Sequence, residues 1–149
     1  MKISIFYFLL GILAGIVGAA QPGINSILDQ KLGSALLAST ISFMVGTIFL
    51  LILSFSLKIL PIPLKAFAQA PWWAYLGGLL GAFFVLVSVI LAPKIGAVTL
   101  MGLLLTGQIL ASLLYDHFGI LGYPVHPISW WRILGLILMG IGVYLTHRF

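Results

Sequence analysis

Hydrophobic positions along this chain gather into long charge-free runs that stop at short polar breaks. A helix needs about 20 apolar residues to cross a hydrocarbon core about 30 Å thick. Four runs meet that length: Ile3 to Leu28, Ala35 to Leu57, Trp72 to Ala92 and Ile95 to Tyr115. A shorter fifth, Ile133 to Thr146, extends to a spanning helix over 131–147 when Arg132 and Arg148 snorkel and Trp130, Trp131 and Tyr144 lie near the interfaces. The stretch from Asp29 to Gly33 and the pair Pro93-Lys94 read as tight turns on one side of the membrane. On the other side lie two longer connections, Lys58 to Pro71 with Pro61, Pro63 and Pro71, and Asp116 to Ser129 with Gly119, Gly122, Pro124 and Pro127. Ser129 is placed to cap the fifth helix. The pattern predicts an all-α membrane protein, residues 1–149 forming a single domain of five transmembrane helices over 3–28, 35–57, 72–92, 95–115 and 131–147. Lys2, the apolar run and Gly18-Ala19-Ala20 also imitate a secretory signal, but the run exceeds a signal core and four more spans follow it.

Composition makes lipid the solvent. Hydrophobic residues are 62% of the chain and charged residues 6%, against about a quarter charged in a water-facing domain. The formal charge of +5 comes from dispersed single cations, which do not form the patch or stripe that nucleic acid requires. With no cysteine there is no disulfide, thiolate nucleophile or Cys-ligated metal site. His117, His126 and His147 lack carboxylate companions at metal-binding spacing, so no metal is assigned. No nucleophile elbow is present, and the expectation is a non-enzyme without a cofactor.

Charge and helix count together suggest assembly. Five crossings place Lys2, Lys58, Lys65 and Arg132 on one side and Lys31, Lys94 and Arg148 on the other. Four cations against three is too small a bias to choose one orientation. An odd helix number makes two tandem copies automatically inverted, and inverted repeats build alternating-access sites at their interface. The expected partner, besides the lipid bilayer, is therefore an antiparallel second copy of the chain, or a sister chain of opposite orientation. Small residues allow close helix approach, notably Ala74, Gly78, Gly81, Val85, Ser88 and Ala92 in the third run and Gly135, Gly140 and Gly142 in the fifth. For most of these glycines, packing within one protomer is the expected role.

The first run carries the most informative face, with Tyr7, Gly11, Ala14, Gly18, Gln21 and Asn25 at spacings of three and four. Pro22 lacks an N–H and crowds the Gly18 carbonyl, which predicts a kink and a freed polar group beside that face. In the fourth run Gln108 and Ser112 are four apart. Amides bind donors and acceptors without the cost of burying a charge, so these positions suit a neutral, zwitterionic or hydrogen-bonding small molecule. The substrate-binding candidates are Gln21, Asn25, Gln108 and Ser112, with Tyr7 and Gly18 on the same first-helix face. Gln21 and Asn25 acting as cross-helix glue is the alternative. In an inverted pair, Gln21 and Asn25 of one copy are expected level with Gln108 and Ser112 of the other. Asp116 is expected to form an interfacial ion pair with Arg132, or with Lys65.

Gln21-Pro22-Gly23-Ile24-Asn25, the stretch from Gly33 to Gly46, Gly77-Gly78-Leu79-Leu80-Gly81-Ala82, Thr106-Gly107-Gln108, Asp116-His117-Phe118-Gly119 and Arg132-Ile133-Leu134-Gly135 carry a resemblance across nearly the whole chain. In their order and spacing they resemble the YdcZ-like branch of the drug/metabolite transporter superfamily. That resemblance implies a multi-pass bacterial inner-membrane protein similar to one half, one inverted repeat, of a ten-helix transporter. It further implies small-molecule transport by a paired or fused unit and names no substrate. Small multidrug resistance proteins are similar in size, but they carry an embedded glutamate, and this chain has none. The expectation is transport of a polar or amphiphilic metabolite by an antiparallel homodimer using alternating access. Two other readings stay open: a dual-topology ion channel, which would pass unsaturable, electrically driven flux, and a structural membrane subunit that transports nothing.

Overall fold

The computed structural model describes residues 5–59 and 64–149. Ile3 as a helix start, Lys2, Pro61 and Pro63 lie outside the described residues. Six α-helices follow in order: α1 (Ile5–Leu32), α2 (Ala35–Ser56), α3 (Leu64–Gln69), α4 (Gly77–Ile95), α5 (Ala97–Phe118) and α6 (Trp130–Arg148). A 3-10 segment, Trp72–Leu76, leads into α4, and a second, Ile120–Gly122, follows α5. Five helical segments are long and apolar enough to cross a membrane: Ile5–Leu32, Ala35–Ser56, Trp72–Ile95, Ala97–Phe118 and Trp130–Arg148. Among the described residues no strand occurs. Most large apolar side chains are exposed, as helices solvated by lipid require.

Helix ends depart from the pattern-based boundaries for local reasons. The polar residues Asp29, Gln30 and Lys31 continue α1, because nothing in them breaks a helix. The corner comes at Gly33, whose φ of +68° is a left-handed backbone that closes the helix, its N–H donating to the Asp29 carbonyl at 2.7 Å. Ser34 then caps α2, its hydroxyl accepting from the Leu37 N–H at 3.3 Å. Pro93-Lys94, read as a turn, instead lies inside the last part of α4, and the break falls at Gly96. At the far end of α5 the helix runs to Phe118, three residues beyond Tyr115. Gln108 therefore stands near the middle of α5. Ser129 caps α6 by accepting from the Arg132 N–H at 3.4 Å.

The chain groups into two compact units, Met1–Pro93 and Lys94–Phe149. In the first, α1 packs along α2, and the buried positions are Pro22, Asn25 and Ser26 on α1, Ala38 and Ser39 on α2, and Val85, Ser88 and Val89 on α4. A Cβ on Gly81 of α4 would stand 3.4 Å from the Phe43 ring of α2, an ordinary contact. In the second unit α5 packs along α6. At Gly102 the two helices are close: a Cβ there would come within 2.6 Å of Val143 Cγ2. After Gly119 the chain reverses, the rings of Tyr115 and Tyr123 stack with centroids 6.3 Å apart, and the His126 N–H donates to the Asp116 carbonyl at 2.8 Å.

Candidate functional site

Pro22, Asn25 and Ser26 are the buried residues of α1, while Gln21 and Gly18 on the same helix are exposed. Asn25 is 5% exposed and donates from Nδ2 to Ser42 Oγ on α2 at 3.1 Å. Part of its hydrogen-bonding capacity is thus spent within its own unit. Gln21 is exposed and makes no hydrogen bond among the described residues. Tyr7 is also exposed and meets Phe6 edge to face at 5.6 Å. α1 is one continuous helix through Pro22.

Hydroxyls near these positions are largely bonded to their own helices. Ser39 donates to the Ala35 carbonyl, Thr40 to Leu36, Ser88 to Phe84 and Thr106 to Gly102, each between 2.6 and 2.8 Å. A hydroxyl satisfied this way presents mostly its carbon surface to a neighbour. The groove between α2 and α4, about 680 Å³, is accordingly apolar although Ser39, Thr40 and Thr47 line it beside Phe43, Leu79 and Phe83.

In the second unit Gln108 and Ser112 are both exposed on α5. Ser112 opens onto a groove of about 490 Å³ between α5 and α6, with Asp116 and Arg132 at the polar end and Leu113, Leu136 and Met139 along it. Gln108 does not line that groove. Arg132 Nη1 donates to Asp116 Oδ2 at 3.1 Å and to the His126 carbonyl at 3.3 Å. Arg132 and Asp116 are 36% and 26% exposed, so the pair is partly desolvated yet reachable. His117, in the last turn of α5, reaches the following loop, its Nδ1 accepting from the Ile128 N–H at 3.3 Å. A third groove, about 420 Å³, lies near Thr99, Tyr144 and His147.

The structure therefore bonds Asn25 to Ser42, sets Ser112 on the same groove as the Asp116–Arg132 pair, and leaves Gln21 and Gln108 without protein partners among the described residues. Sequence reading did not single out Ser42, although a serine on the facing helix was the available signal. It also missed the two grooves flanking α5 and α6, which depend on how side chains meet across helices. Chemically the arrangement offers neutral amides and hydroxyls together with one ion pair, a set suited to binding by hydrogen bonds and charge pairing.

Residues 6–145 match the family DMT_YdcZ, described as "Putative inner membrane exporter, YdcZ". The chain is similar to the "Inner membrane protein YdcZ" of Escherichia coli (strain K12), with 30% identity over 138 residues, covering 92% of this chain and 91% of that protein. No solved structure matches it.

Proposed function

We propose a function from one premise: the chain belongs to the YdcZ family of inner membrane exporters, and is accordingly a multi-pass inner-membrane protein that acts as a transporter. On our reading it works as an antiparallel homodimer in which two inverted copies supply ten helices and alternate access to a shared path. The cargo is a polar or amphiphilic metabolite bound mainly by hydrogen bonds. Gln21, Gln108 and Ser112 line the path, Tyr7 and Gly18 border it on α1, and Asn25 fixes the α1 face from behind through Ser42.

One observation carries this reading: Gln21 and Gln108 are exposed amides within membrane-spanning helices and have no hydrogen-bond partner among the described residues. Hydrocarbon cannot satisfy an amide, so each requires protein or a wet cavity beside it. Gln108 lies near the middle of its span, where transporter sites concentrate. A residue at mid-depth keeps its level when the protein is inverted, so Gln108 of both copies reaches the same plane.

The test is a ligand-dependent thermal-shift screen on purified dimer, followed by counterflow of the stabilising compound in liposomes. Gln21→Leu and Gln108→Leu should weaken binding while cross-linking still reports the dimer. Normal counterflow in both variants, or dissociation before transport falls, would assign the amides to helix packing. Current without saturation would favour the channel.

A further inference from the structure

The groove between α5 and α6 combines features that the transport reading does not use. Its polar end is an opposite-charge pair, and its length is apolar. Asp116 is two residues from the end of α5 and Arg132 is the third residue of α6, so the pair sits where both helices meet one membrane face. Trp130 and Trp131, 83% and 81% exposed, stand beside it as aromatic side chains do at headgroup level. From Asp116 back to Ile109 the groove follows α5 for about 10 Å toward the bilayer interior.

The pair has capacity left over. Arg132 spends only Nη1 and Asp116 only Oδ2 on side-chain bonds, and among the described residues Nη2, Nε and Oδ1 make none. A guanidinium fork suits phosphate, and a carboxylate oxygen suits an ammonium. An anionic headgroup would gain Arg132 and face the charge of Asp116. A headgroup bearing both signs satisfies the two together, and the selectivity rests on that repulsion as much as on the attraction. A second copy of this chain could offer Arg132 only Asp29 or another Asp116, because the chain holds two acids in all.

We propose that this groove binds one zwitterionic phospholipid, its phosphate on Arg132, its ammonium on Asp116, and one acyl chain along Leu113, Leu136 and Met139. The groove shares Ser112 with the proposed path, and binding here does not use Gln21 or Gln108. It places a lipid across the α5–α6 pair at the loop where the chain reverses, so the lipid ties that loop to the membrane surface.

Gly135 supplies a test that spares the fold. It lines the groove, and a Cβ built there meets nothing within 4 Å, so Gly135→Phe places a ring in the channel without backbone conflict. The full chain is reconstituted in nanodiscs with equal amounts of palmitoyl-oleoyl phosphatidylethanolamine and phosphatidylglycerol, extracted in mild detergent, and its retained lipid read by native mass spectrometry. One phosphatidylethanolamine should be retained about tenfold over phosphatidylglycerol, the preference expected for one charge-assisted hydrogen bond. Asp116→Asn should bring the ratio close to one, and Gly135→Phe should abolish retention of both lipids with oligomeric state unchanged. Glycerophosphoethanolamine, the headgroup without chains, should not compete. Equal retention of the two lipids by the unaltered chain would overturn the proposal, as would lipid kept by Gly135→Phe or displacement by the free headgroup. Loss of the dimer in Gly135→Phe would assign the groove to a second copy instead. Should Asp116→Asn fail to fold, the Gly135→Phe comparison decides alone.

Discussion

An amide in a membrane helix needs a partner, and the two on α1 differ in where they find one. Asn25 bonds Ser42 across to α2, whereas Gln21, four residues earlier on the helix, faces outward. In a double-mutant cycle, Asn25→Leu and Ser42→Ala should couple by about 0.6 kcal/mol, the average for hydrogen bonds between membrane helices. Reversible unfolding in detergent measures it, and zero coupling would show that the bond adds nothing. Gln21→Leu should leave unfolding within about 0.5 kcal/mol of the parent, because an exposed side chain packs against nothing in its unit. At Ser88, 1% exposed, the hydroxyl already serves the Phe84 carbonyl of its own helix. Ser88→Ala should therefore be nearly neutral, while Ser88→Leu overpacks the site and should cost about 1–3 kcal/mol in the same assay.

Between elements, Gly102 of α5 lies close against Val143 of α6. A Cβ there would lie 2.6 Å from Val143 Cγ2, 3.3 Å from Cγ1 and 3.4 Å from Cβ, so Val143 or the helix pair must shift to admit it. Gly102→Ala should destabilise the pair by about 1–3 kcal/mol, and Val143→Ala in the same chain should restore most of it. Thermal unfolding checks both; an additive double variant would place the strain elsewhere. The five spans were legible because charge-free length decides insertion, and the Ser129 cap because serine precedes an apolar run. The ends of α1 and α4 were harder. Asp29-Gln30-Lys31 is polar without being helix-breaking, and Pro93 sits so late in α4 that only Lys94 and Ile95 follow it. Polarity was taken for a turn where backbone conformation at Gly33 and Gly96 sets the corners. For Asp116 the sequence left a choice of Arg132 or Lys65. The reversal at Gly119 and the His126–Asp116 backbone bond bring Arg132 alongside it.

At the scale of the molecule, orientation rests on seven cations and five crossings. A single cysteine placed after Phe149, in a chain that has none, should react with an impermeant reagent partly from each side of the inner membrane. Labelling wholly from one side would sink dual insertion. Replacing Lys58 and Lys65 with neutral residues turns four against three into two against three, and the labelled fraction should shift toward the other face. Transport should fall as one orientation comes to dominate, since an antiparallel pair needs both. The site was less legible than the spans, because Gln21 and Gln108 declare their need for a partner while their own protomer supplies none among the described residues. On the proposed assembly a second copy covers them, and pairing between chains leaves only a faint trace in one chain's pattern.

The length of α1 carries a consequence for membrane thickness. Twenty-eight helical residues extend about 42 Å, some 12 Å more than the hydrocarbon core of about 30 Å. Fitting all of it inside would take a tilt of about 45°, beyond the range of about 0–40° seen for membrane helices. α6, with 19 residues and about 28 Å, is instead slightly short. The end of α1 that carries Asp29, Gln30 and Lys31 therefore stands in the headgroup layer, and the Gly33 corner stands with it. Thickening the bilayer would draw that corner inward while stretching the match at α6, so the two helices place opposing demands on lipid chain length. A spin label at Gln30→Cys should lose accessibility to aqueous relaxants as reconstitution moves from 14-carbon to 22-carbon chains. Constant accessibility across the series would mean that the lipid deforms to follow the protein.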